Sequence, residues 1–254
     1  MITAGPYMDI HTHIIPGVDD GSQSMEESVK MLEQAYAENI RVIIATPHFG
    51  IRNTDYNDRV ANKRLNELRK VADKQFPGLK LFMGNELYYS AGTLESLRNK
   101  WAHTLGGTNY VLIEFSTDVE YEKIAKAVEE LCWNGYWPII AHAERYHCLV
   151  EDRNLVEELV RSGAYIQINA RTFIQTKKKR DKKKRFFLEQ NREWSMELLK
   201  AGMVHFIASD CHSTGTRRPV YESAVKEIID QGGEQYLRSI IKTNIVKLIR
   251  NERI

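Results

Sequence analysis

Short apolar, β-branched runs recur seven times along the chain, and amphipathic segments separate them. In VIIA, YVLI and PIIA the apolarity is almost continuous, which is typical of strands covered on both faces of a parallel sheet. The predicted strands are Met8–Ile10, Arg41–Ala45, Leu79–Met83, Tyr110–Ile113, Pro138–Ala141, Ala164–Ile168 and Val204–Ala208. The predicted helices are Met25–Glu38, Asp58–Lys74, Ala91–Lys100, Glu120–Asn134, Asp152–Ser162, Phe186–Ala201, Val220–Gln231 and Glu234–Arg250.

The alternation of strand and helix, without a linker rich in proline, glycine or serine, predicts a single α/β domain. We expect one distorted (βα)7 TIM-like barrel over residues 8–254, after a tail of residues 1–7. An open doubly wound sheet is the alternative. A length of 254 residues suits one such barrel. No apolar run approaches the roughly 20 residues that span a membrane. Three cysteines fit a reducing compartment better than a disulfide framework, so we expect a cytoplasmic protein.

The formal net charge of +2 conceals one local excess of positive charge. Residues 177–185, KKKRDKKKR, contain eight basic residues and one acidic residue, so the rest of the chain carries a net charge of −5. Such a run is most often a solvated surface. The functional alternative is attraction to anionic lipid or to an acidic phosphorylated protein. Nucleic acid is a weaker candidate, because no aromatic residues lie between the charges.

Residues whose side chains are able to bind metal ions follow nearly every predicted strand. They are His11, His13, Asp19, Asp20, His48, Glu86, Glu114, His142, Glu144, Asp210 and His212. Because the carboxyl ends of the strands share one face of a β/α barrel, we expect these side chains to converge there. Residues i and i+2 of a strand point to the same side, so His11 and His13 can bind one ion together. Mixed imidazole and carboxylate ligands favour Mn, Fe or Zn, and two or three ions sharing a carboxylate account for so many candidates.

Six segments of the chain carry a family resemblance: MDIHTHIIPGVDDGS, IIATPH, GNELYY, YVLIEFS, IIAHAERY and HFIASDCH. In this order they resemble the polymerase-and-histidinol-phosphatase (PHP) superfamily. They are most similar to its branch of bacterial manganese-dependent protein-tyrosine phosphatases, encoded with capsule and exopolysaccharide synthesis. The resemblance covers about residues 8–250. It implies a distorted (βα)7 barrel that holds three metal ions, normally Mn²⁺, with Fe, Zn, Co or Mg as substitutes.

The resemblance implies a set of ligands for each ion, position by position. The first ion is implied at His11, His13, Glu86 and Asp210. The second is implied at Glu86, which bridges, with Glu114 and His142. The third is implied at Asp20, His48 and His212, with Asp19 as an alternative to Asp20.

The resemblance also implies two catalytic arginines and a partner. Arg145 and Arg218 match the arginines that hold the phosphate, and Arg217 is an alternative because the Arg218 match needs one extra residue in the loop. The implied partner is a phosphotyrosine protein, in particular the acidic, tyrosine-rich tail of a membrane-associated tyrosine kinase. Docking of that tail on Lys177–Arg185 is a hypothesis.

These residue types favour metal-assisted hydrolysis of a phosphomonoester. Bound ions make hydroxide available at neutral pH, and the planar fork of arginine matches two phosphate oxygens. A phenolate leaving group, whose conjugate acid has a pKa of about 10, needs little help from a general acid.

Other functions stay open from the sequence alone. The stretch from Cys211 to Arg217 matches C-x5-R, the signature of phosphatases that use a low-pKa thiolate as nucleophile. Histidinol-phosphate phosphatases and polymerase-linked nucleases share the metal ligands. A hydrolase of the amidohydrolase type typically has a lysine at a strand end, and no predicted strand here ends in one. A non-enzymatic binding protein would act through the basic run.

Overall fold

The apolar runs form strands and the amphipathic segments form helices. The computed structural model describes residues 5–50, 56–175 and 182–254, with residues 182–187 described as backbone only. The strands are β1 (Tyr7–Thr12), β2 (Ile40–Ala45), β3 (His48–Phe49), β4 (Lys80–Met83), β5 (Glu86–Tyr88), β6 (Tyr110–Glu114), β7 (Trp137–Ile140), β8 (Tyr165–Asn169) and β9 (Phe206–Ala208). The helices are α1 (Met25–Ala37), α2 (Asp58–Gln75), α3 (Thr93–Arg98), α4 (Tyr121–Trp133), α5 (His147–Glu151), α6 (Arg153–Arg161), α7 (Lys182–Lys200), α8 (Glu222–Asp230), α9 (Glu234–Arg238) and α10 (Asn244–Ile249).

The strands form two parallel sheets in a mixed α/β fold. One sheet has the order β1-β2-β4 and the other β3-β5-β6-β7-β8-β9. The path of β2 continues into β3 after Thr46-Pro47, and that of β4 continues into β5 after Gly84-Asn85. Backbone hydrogen bonds cross both interruptions, from Gly84 N to Ala45 O at 2.8 Å and from Glu86 N to Pro47 O at 3.3 Å. An isolated parallel bridge joins Thr12 to Cys211, so β1 and the end of β9 lie side by side.

Alternate residues of the strands enter two different apolar clusters. In β6, Val111 and Ile113 pack in the larger cluster beneath the helices, whereas Tyr110 and Leu112 pack in the smaller cluster between the strands. Glu114 continues the Tyr110–Leu112 face because side chains alternate along a strand. On several strands the face lined by the smaller cluster therefore changes from apolar to polar side chains at the carboxyl end.

Caps and glycines set the ends of several helices. The side chain of Ser24 accepts a hydrogen bond from Glu27 N at 3.1 Å and so begins α1. Gly135, Gly163 and Gly202 have left-handed backbones, with φ of 81°, 101° and 74°, and they follow α4, α6 and α7 before the next strand. Glycine is favoured there because it has no Cβ to clash in that conformation.

Each predicted strand overlaps an observed one, but several details of the prediction are wrong. The strands β3 and β5 and the helix α5 were not predicted. The predicted helix Glu234–Arg250 is divided into α9, a π-helical turn at Ser239–Thr243, and α10. A π-helical turn inserts a residue into the helical repeat and changes the phase of the apolar face. Ile240 in this turn packs in the larger cluster, and Ile245 in α10 packs in the smaller one.

Two predicted features, the N-terminal tail and the basic run, fall partly outside the described residues. The strand β1 begins at Tyr7, whose ring stacks on that of Tyr221 with centroids 4.7 Å apart, so Tyr7 belongs to the fold. Residues 1–4 of the predicted tail are not described, nor are residues 177–181 of the basic run or the side chains of 182–185. In the part of the chain that the structure describes, no helix has the length and apolarity needed to cross a membrane.

Candidate metal centre

The carboxyl ends of the strands bring the predicted ligands into one cluster. Among the described residues, three groups place their ligand atoms within 4.8 Å of one another. The groups are His11, His13 and Asp210; His48, Glu86 and Glu114; and His13, Asp20, His48 and His212. His142 joins the cluster through Glu86, whose Oε1 lies 2.7 Å from His142 Nε2. Residues from seven separate segments thus share one site.

Glu86 lies at the centre of the cluster. Its Oε2 is 3.1 Å from Nε2 of His11 and 3.1 Å from Nε2 of His13. Asp210 Oδ1 lies 3.5 Å and 3.6 Å from the same two nitrogens. Ligand atoms arranged tetrahedrally around an ion at about 2.1 Å are about 3.4 Å apart. The four separations therefore fit a single ion held by His11, His13, Glu86 and Asp210.

The other ligands extend the cluster on two sides of Glu86. Glu114 Oε2 lies 3.7 Å from His142 Nε2, which also faces Glu86. Asp20 Oδ1 lies 3.3 Å from His48 Nε2 and 3.5 Å from His212 Nε2. Among these groups, the buried ligand atoms without a hydrogen-bond partner are His48 Nδ1, Glu86 Oε2, Glu114 Oε1 and His212 Nε2. Buried polar atoms normally have partners, so these atoms fit contacts to cations.

The neighbouring aspartates Asp19 and Asp20 lie in different surroundings. Asp19 Oδ2 lies 2.7 Å from His13 Nδ1 and accepts a hydrogen bond from His48 N at 3.1 Å, while its Oδ1 accepts one from Gly21 N at 3.0 Å. Both oxygens of Asp19 are therefore occupied. Asp20 is 64% exposed and directs Oδ1 towards His48 and His212. This arrangement favours Asp20 as a ligand and Asp19 as the carboxylate that orients the His13 ring.

Charge outweighs burial in setting the pKa values of His13, His142 and Glu86, whereas burial lowers the pKa of His212. Burial lowers the pKa of His13, but Asp19 and Glu86 raise it to about 9. Burial and Arg145 lower the pKa of His142, but hydrogen bonds to Glu114 and Glu86 raise it to about 9. Burial raises the pKa of Glu86, but His11 and other histidines hold it well below its usual range. Ionised carboxylates this deeply buried need cationic partners.

Two of the predicted ligands have strained backbones. His142 has φ of 33° and Asp210 has φ of 49°, both in the left-handed region that non-glycine residues seldom adopt. Such conformations cost on the order of 1–3 kcal/mol each and persist where the surrounding structure holds them in place. Here the strained turns follow β7 and β9 and direct both side chains into the cluster. The strained backbone conformations thus occur at two residues whose side-chain directions shape the cluster.

Two arginines contact the cluster through Asp210. Arg145 Nη2 donates to Asp210 Oδ2, and Arg217 Nη2 donates to Asp210 Oδ1 at 2.9 Å. Both side chains are 39% exposed, so solvent reaches them. Arg218 is exposed, and its backbone carbonyl accepts a hydrogen bond from Arg171. The structure therefore brings Arg145 and Arg217 together and leaves Arg218 at the surface.

Cys211 does not direct a reactive thiol into this site. The residue is buried among the side chains of the larger apolar cluster, with 1% of its surface exposed. Burial and the nearby Asp9 raise the pKa of its thiol far above the usual value. A cysteine nucleophile needs an accessible thiolate with a lowered pKa. The surroundings of Cys211 therefore do not support the C-x5-R alternative for this loop.

Two buried amides lie in the site: Asn169, which stands at the end of the sixth predicted strand, and Gln167, which was not predicted as a functional residue. Gln167 and Asn169 lie on β8 and connect, through hydrogen bonds, to His11, His142 and Asp210. The only sequence signal for them is strand periodicity, because they continue the face of Tyr165, which packs in the smaller cluster. Glu144 is also buried beside them, with Oε1 accepting hydrogen bonds from Asn169 N and Thr172 Oγ1. Glu144 therefore supports the site and is not among the groups of metal ligands.

Comparison with known proteins gives consistent matches over nearly the full chain. A family described as capsular polysaccharide synthesis, CpsB/CapC, matches residues 7–250. Tyrosine-protein phosphatase CpsB of Streptococcus agalactiae serotype V is 32% identical over 247 residues, covering 97% of this chain and 100% of that protein. One crystal structure matches with a TM-score of 0.83 and 30% identity, over 97% of this chain and 96% of that chain. It belongs to a study of YwqE from Bacillus subtilis and CpsB from Streptococcus pneumoniae, which are described as unique metal-dependent tyrosine phosphatases. A histidinol phosphate phosphatase from Lactococcus lactis, solved with zinc, L-histidinol and phosphate, has a TM-score of 0.54 and 14% identity over 95% and 94% of the two chains, and it shares the fold.

Proposed function

The chain belongs to the CpsB/CapC family of capsular polysaccharide synthesis, and from this membership we propose that it is a metal-dependent protein-tyrosine phosphatase. It hydrolyses phosphotyrosine to tyrosine and inorganic phosphate. The observation that carries the proposal is the convergence of five histidines and four carboxylates in one cluster, with two guanidinium groups beside it. Full-length relatives named as tyrosine-protein phosphatases support the choice of substrate.

The cluster suits three divalent ions, and we assign Mn²⁺ to it because mixed imidazole and carboxylate ligands fit that ion. Fe, Zn, Co and Mg are the substitutes. The first ion would be held by His11, His13, Glu86 and Asp210. The second would be held by Glu86, Glu114 and His142. The third would be held by Asp20, His48 and His212. Ions of this kind supply hydroxide at neutral pH and neutralise charge on the transferring phosphoryl group.

The protein's own contribution is to hold the phosphate and shape the site. The guanidinium groups of Arg145 and Arg217 bind the two oxygens of Asp210, and their donor geometry also matches phosphate oxygens. Both groups are partly exposed and face incoming substrate. The departing phenolate is a weak base, so none of the histidines is required to donate a proton to it.

We propose that the chain forms one distorted (βα)7 barrel over residues 8–254, to which Tyr7 is added because β1 begins there. In this interpretation β2 with β3, and β4 with β5, each count as one strand, which gives seven. The parallel bridge between Thr12 and Cys211 supports closure between the first strand and the last. The carboxyl ends of all seven strands then surround the metal centre, as in other barrel enzymes.

We propose the acidic, tyrosine-rich tail of a membrane-associated tyrosine kinase of capsule synthesis as the physiological substrate, and the cytoplasm as the place of reaction. The family's description supports a role in capsular polysaccharide synthesis, and the relatives named tyrosine-protein phosphatases support a phosphotyrosine protein as the substrate. The three unpaired cysteines, Cys132, Cys148 and Cys211, support a reducing compartment. Docking through Lys177–Arg185 stays a prediction, since those side chains lie outside the described residues. Nucleic acid is not an expected partner.

Substrate preference tests the proposed function. With Mn²⁺ present, we expect kcat/KM for a phosphotyrosine peptide to exceed that for the matched phosphoserine peptide by at least about 100-fold, because a phenolate leaves without acid catalysis. Phosphate release from both peptides and from histidinol phosphate is the measurement. Faster turnover of histidinol phosphate than of the phosphotyrosine peptide would favour a small-molecule phosphatase.

Adjacent arginines provide a matched test of the phosphate clamp. We expect Arg217→Ala to lower kcat/KM for para-nitrophenyl phosphate by about 10- to 100-fold, the usual loss for a charged hydrogen bond. Arg218→Ala removes the same charge one residue away from an exposed position and should stay within about twofold of wild type. A larger loss for Arg218→Ala than for Arg217→Ala would reverse the assignment.

A further inference from the structure

We propose that Gln167 and Asn169 are positioning residues that fix the tautomer of His11 and the orientation of Asp210 and His142. The proposal deepens the proposed function, because it assigns residues that prepare the same metal centre for its ions. It rests on a continuous series of hydrogen bonds through two buried amides. Gln167 is 0% exposed and Asn169 is 7% exposed, so water does not replace these contacts.

The direction of each hydrogen bond in the series is determined by the groups at its ends, which can only donate or only accept a hydrogen bond. The backbone N–H of His142 can only donate, and it contacts Gln167 Oε1 at 2.9 Å. The amide nitrogen of Gln167 therefore points the other way and donates to Asn169 Oδ1 at 2.9 Å. The amide nitrogen of Asn169 in turn donates to Asp210 Oδ2 at 2.9 Å. An ionised carboxylate only accepts, so both ends of the series require the same amide orientations.

This direction determines which nitrogen of His11 carries the proton. Gln167 Oε1 lies 3.1 Å from His11 Nδ1, and a carbonyl oxygen cannot donate. Nδ1 must therefore carry the hydrogen, which leaves the lone pair on Nε2. That nitrogen faces Glu86 Oε2 at 3.1 Å and Asp210 Oδ1 at 3.5 Å. The tautomer set by Gln167 is the one that His11 needs to bind an ion.

The same series connects ligands that belong to different ion sites and different strands. His11 lies on β1, where the register with β2 shifts between Asp9 and Thr12 and re-aims the following side chains. His142 and Asp210 follow β7 and β9, and both have left-handed backbones. Gln167 and Asn169 lie between them on β8. The amides therefore hold in place two strained turns and one irregular strand whose side chains must converge.

Metal binding without turnover is the direct test, and the probe is Mn²⁺ titrated calorimetrically into the full chain after dialysis against chelator. Gln167→Met keeps the length of the side chain and removes its hydrogen bonds. We expect its Kd for Mn²⁺ to rise by about 10- to 100-fold, the usual effect of losing the partner of a ligand. Asn169→Leu should weaken binding by a similar factor. The double variant should lose much less than the product of the two factors, because each substitution interrupts the same series.

A matched control separates positioning from a general loss of stability. Asn244, the first residue of α10, is also a buried amide. It donates to the backbone oxygen of His205 at 2.9 Å, just before β9, whereas the predicted ligands Asp210 and His212 follow β9. Asn244→Leu should lower the thermal midpoint of the metal-free protein as Gln167→Met does, but leave the Kd for Mn²⁺ within about twofold of wild type.

Gln167→Glu keeps the proposal testable if the methionine variant does not fold. The new carboxylate still accepts from His142 N and His11 Nδ1, but its second oxygen faces Asn169 Oδ1, so binding should again weaken. Wild-type Kd values in the folded Gln167 variants, or a weakening matched by Asn244→Leu, would overturn the proposal and leave the phosphatase assignment intact. A wild-type protein that binds Mn²⁺ but does not hydrolyse phosphotyrosine would overturn the proposed function alone.

Discussion

Glu86→Gln is expected to lower kcat/KM for para-nitrophenyl phosphate by about 1000-fold or more and to reduce the number of Mn²⁺ ions bound. Glu86 is 1% exposed, and its two oxygens face four histidines, including His48, whose Nδ1 lies 3.1 Å from Oε2. Oε2 lies 3.1 Å from both His11 and His13, and Oε1 lies 2.7 Å from His142. Glutamine has the same shape but no charge and only one oxygen. A 1000-fold loss corresponds to about 4 kcal/mol of transition-state stabilisation, which is comparable to the 3–5 kcal/mol of stability that removing one partner of a buried ion pair typically costs.

A surface glutamate supplies the control for this substitution. Glu26 lies on α1, is 79% exposed and pairs with Lys30 at 2.7 Å. Glu26→Gln removes the same charge and should leave turnover within about twofold of wild type. Steady-state kinetics at saturating Mn²⁺, together with the metal content of each protein, measure both effects. If Glu86→Gln kept more than a tenth of wild-type activity with its full complement of ions, Glu86 would not be a shared ligand.

The strand positions could be predicted from the sequence because both faces of most strands are apolar. In β6, Tyr110 and Leu112 face the smaller cluster and Val111 and Ile113 the larger, so the run stands out without alternation. The strands β3 and β5 have only two and three residues. They carry His48 and Glu86, residues placed for their chemistry, so apolar periodicity contains no signal for them.

The clustering of imidazoles and carboxylates could be predicted because these residues follow the strands in the sequence. Which of two adjacent residues enters the cluster could not be predicted. Imidazoles and carboxylates at successive strand ends are unusual enough to indicate metal binding. Asp19 and Asp20 are adjacent, and only the turn that brings Gly21 N onto Asp19 Oδ1 separates their roles. Arg217 and Arg218 differ in the same way, through the direction of one loop.

The amides of the site show where sequence analysis has least information. Gln167 and Asn169 are common residue types and belong to no motif that indicates metal binding. Their role depends on their partners, which come from β1 and from the turns after β7 and β9. Contacts between segments this distant in the chain are determined by the tertiary fold and have no local signature.

Chelation is expected to abolish turnover, and Cys211→Ser is expected to preserve it. Together the two results distinguish metal-assisted hydrolysis from attack by a cysteine thiolate, because residues of both mechanisms lie in the loop from Asp210 to Arg217. Treatment with EDTA should lower para-nitrophenyl phosphate hydrolysis by at least about 100-fold, and restored Mn²⁺ should return it, because the buried carboxylates around Glu86 are arranged for cations. Cys211→Ser should stay within about threefold of wild type, since the thiol is buried in the larger cluster and its pKa is raised. Activity that resists EDTA but disappears in Cys211→Ser would contradict the metal mechanism. The comparison is decisive because a thiolate mechanism predicts the opposite result in both measurements.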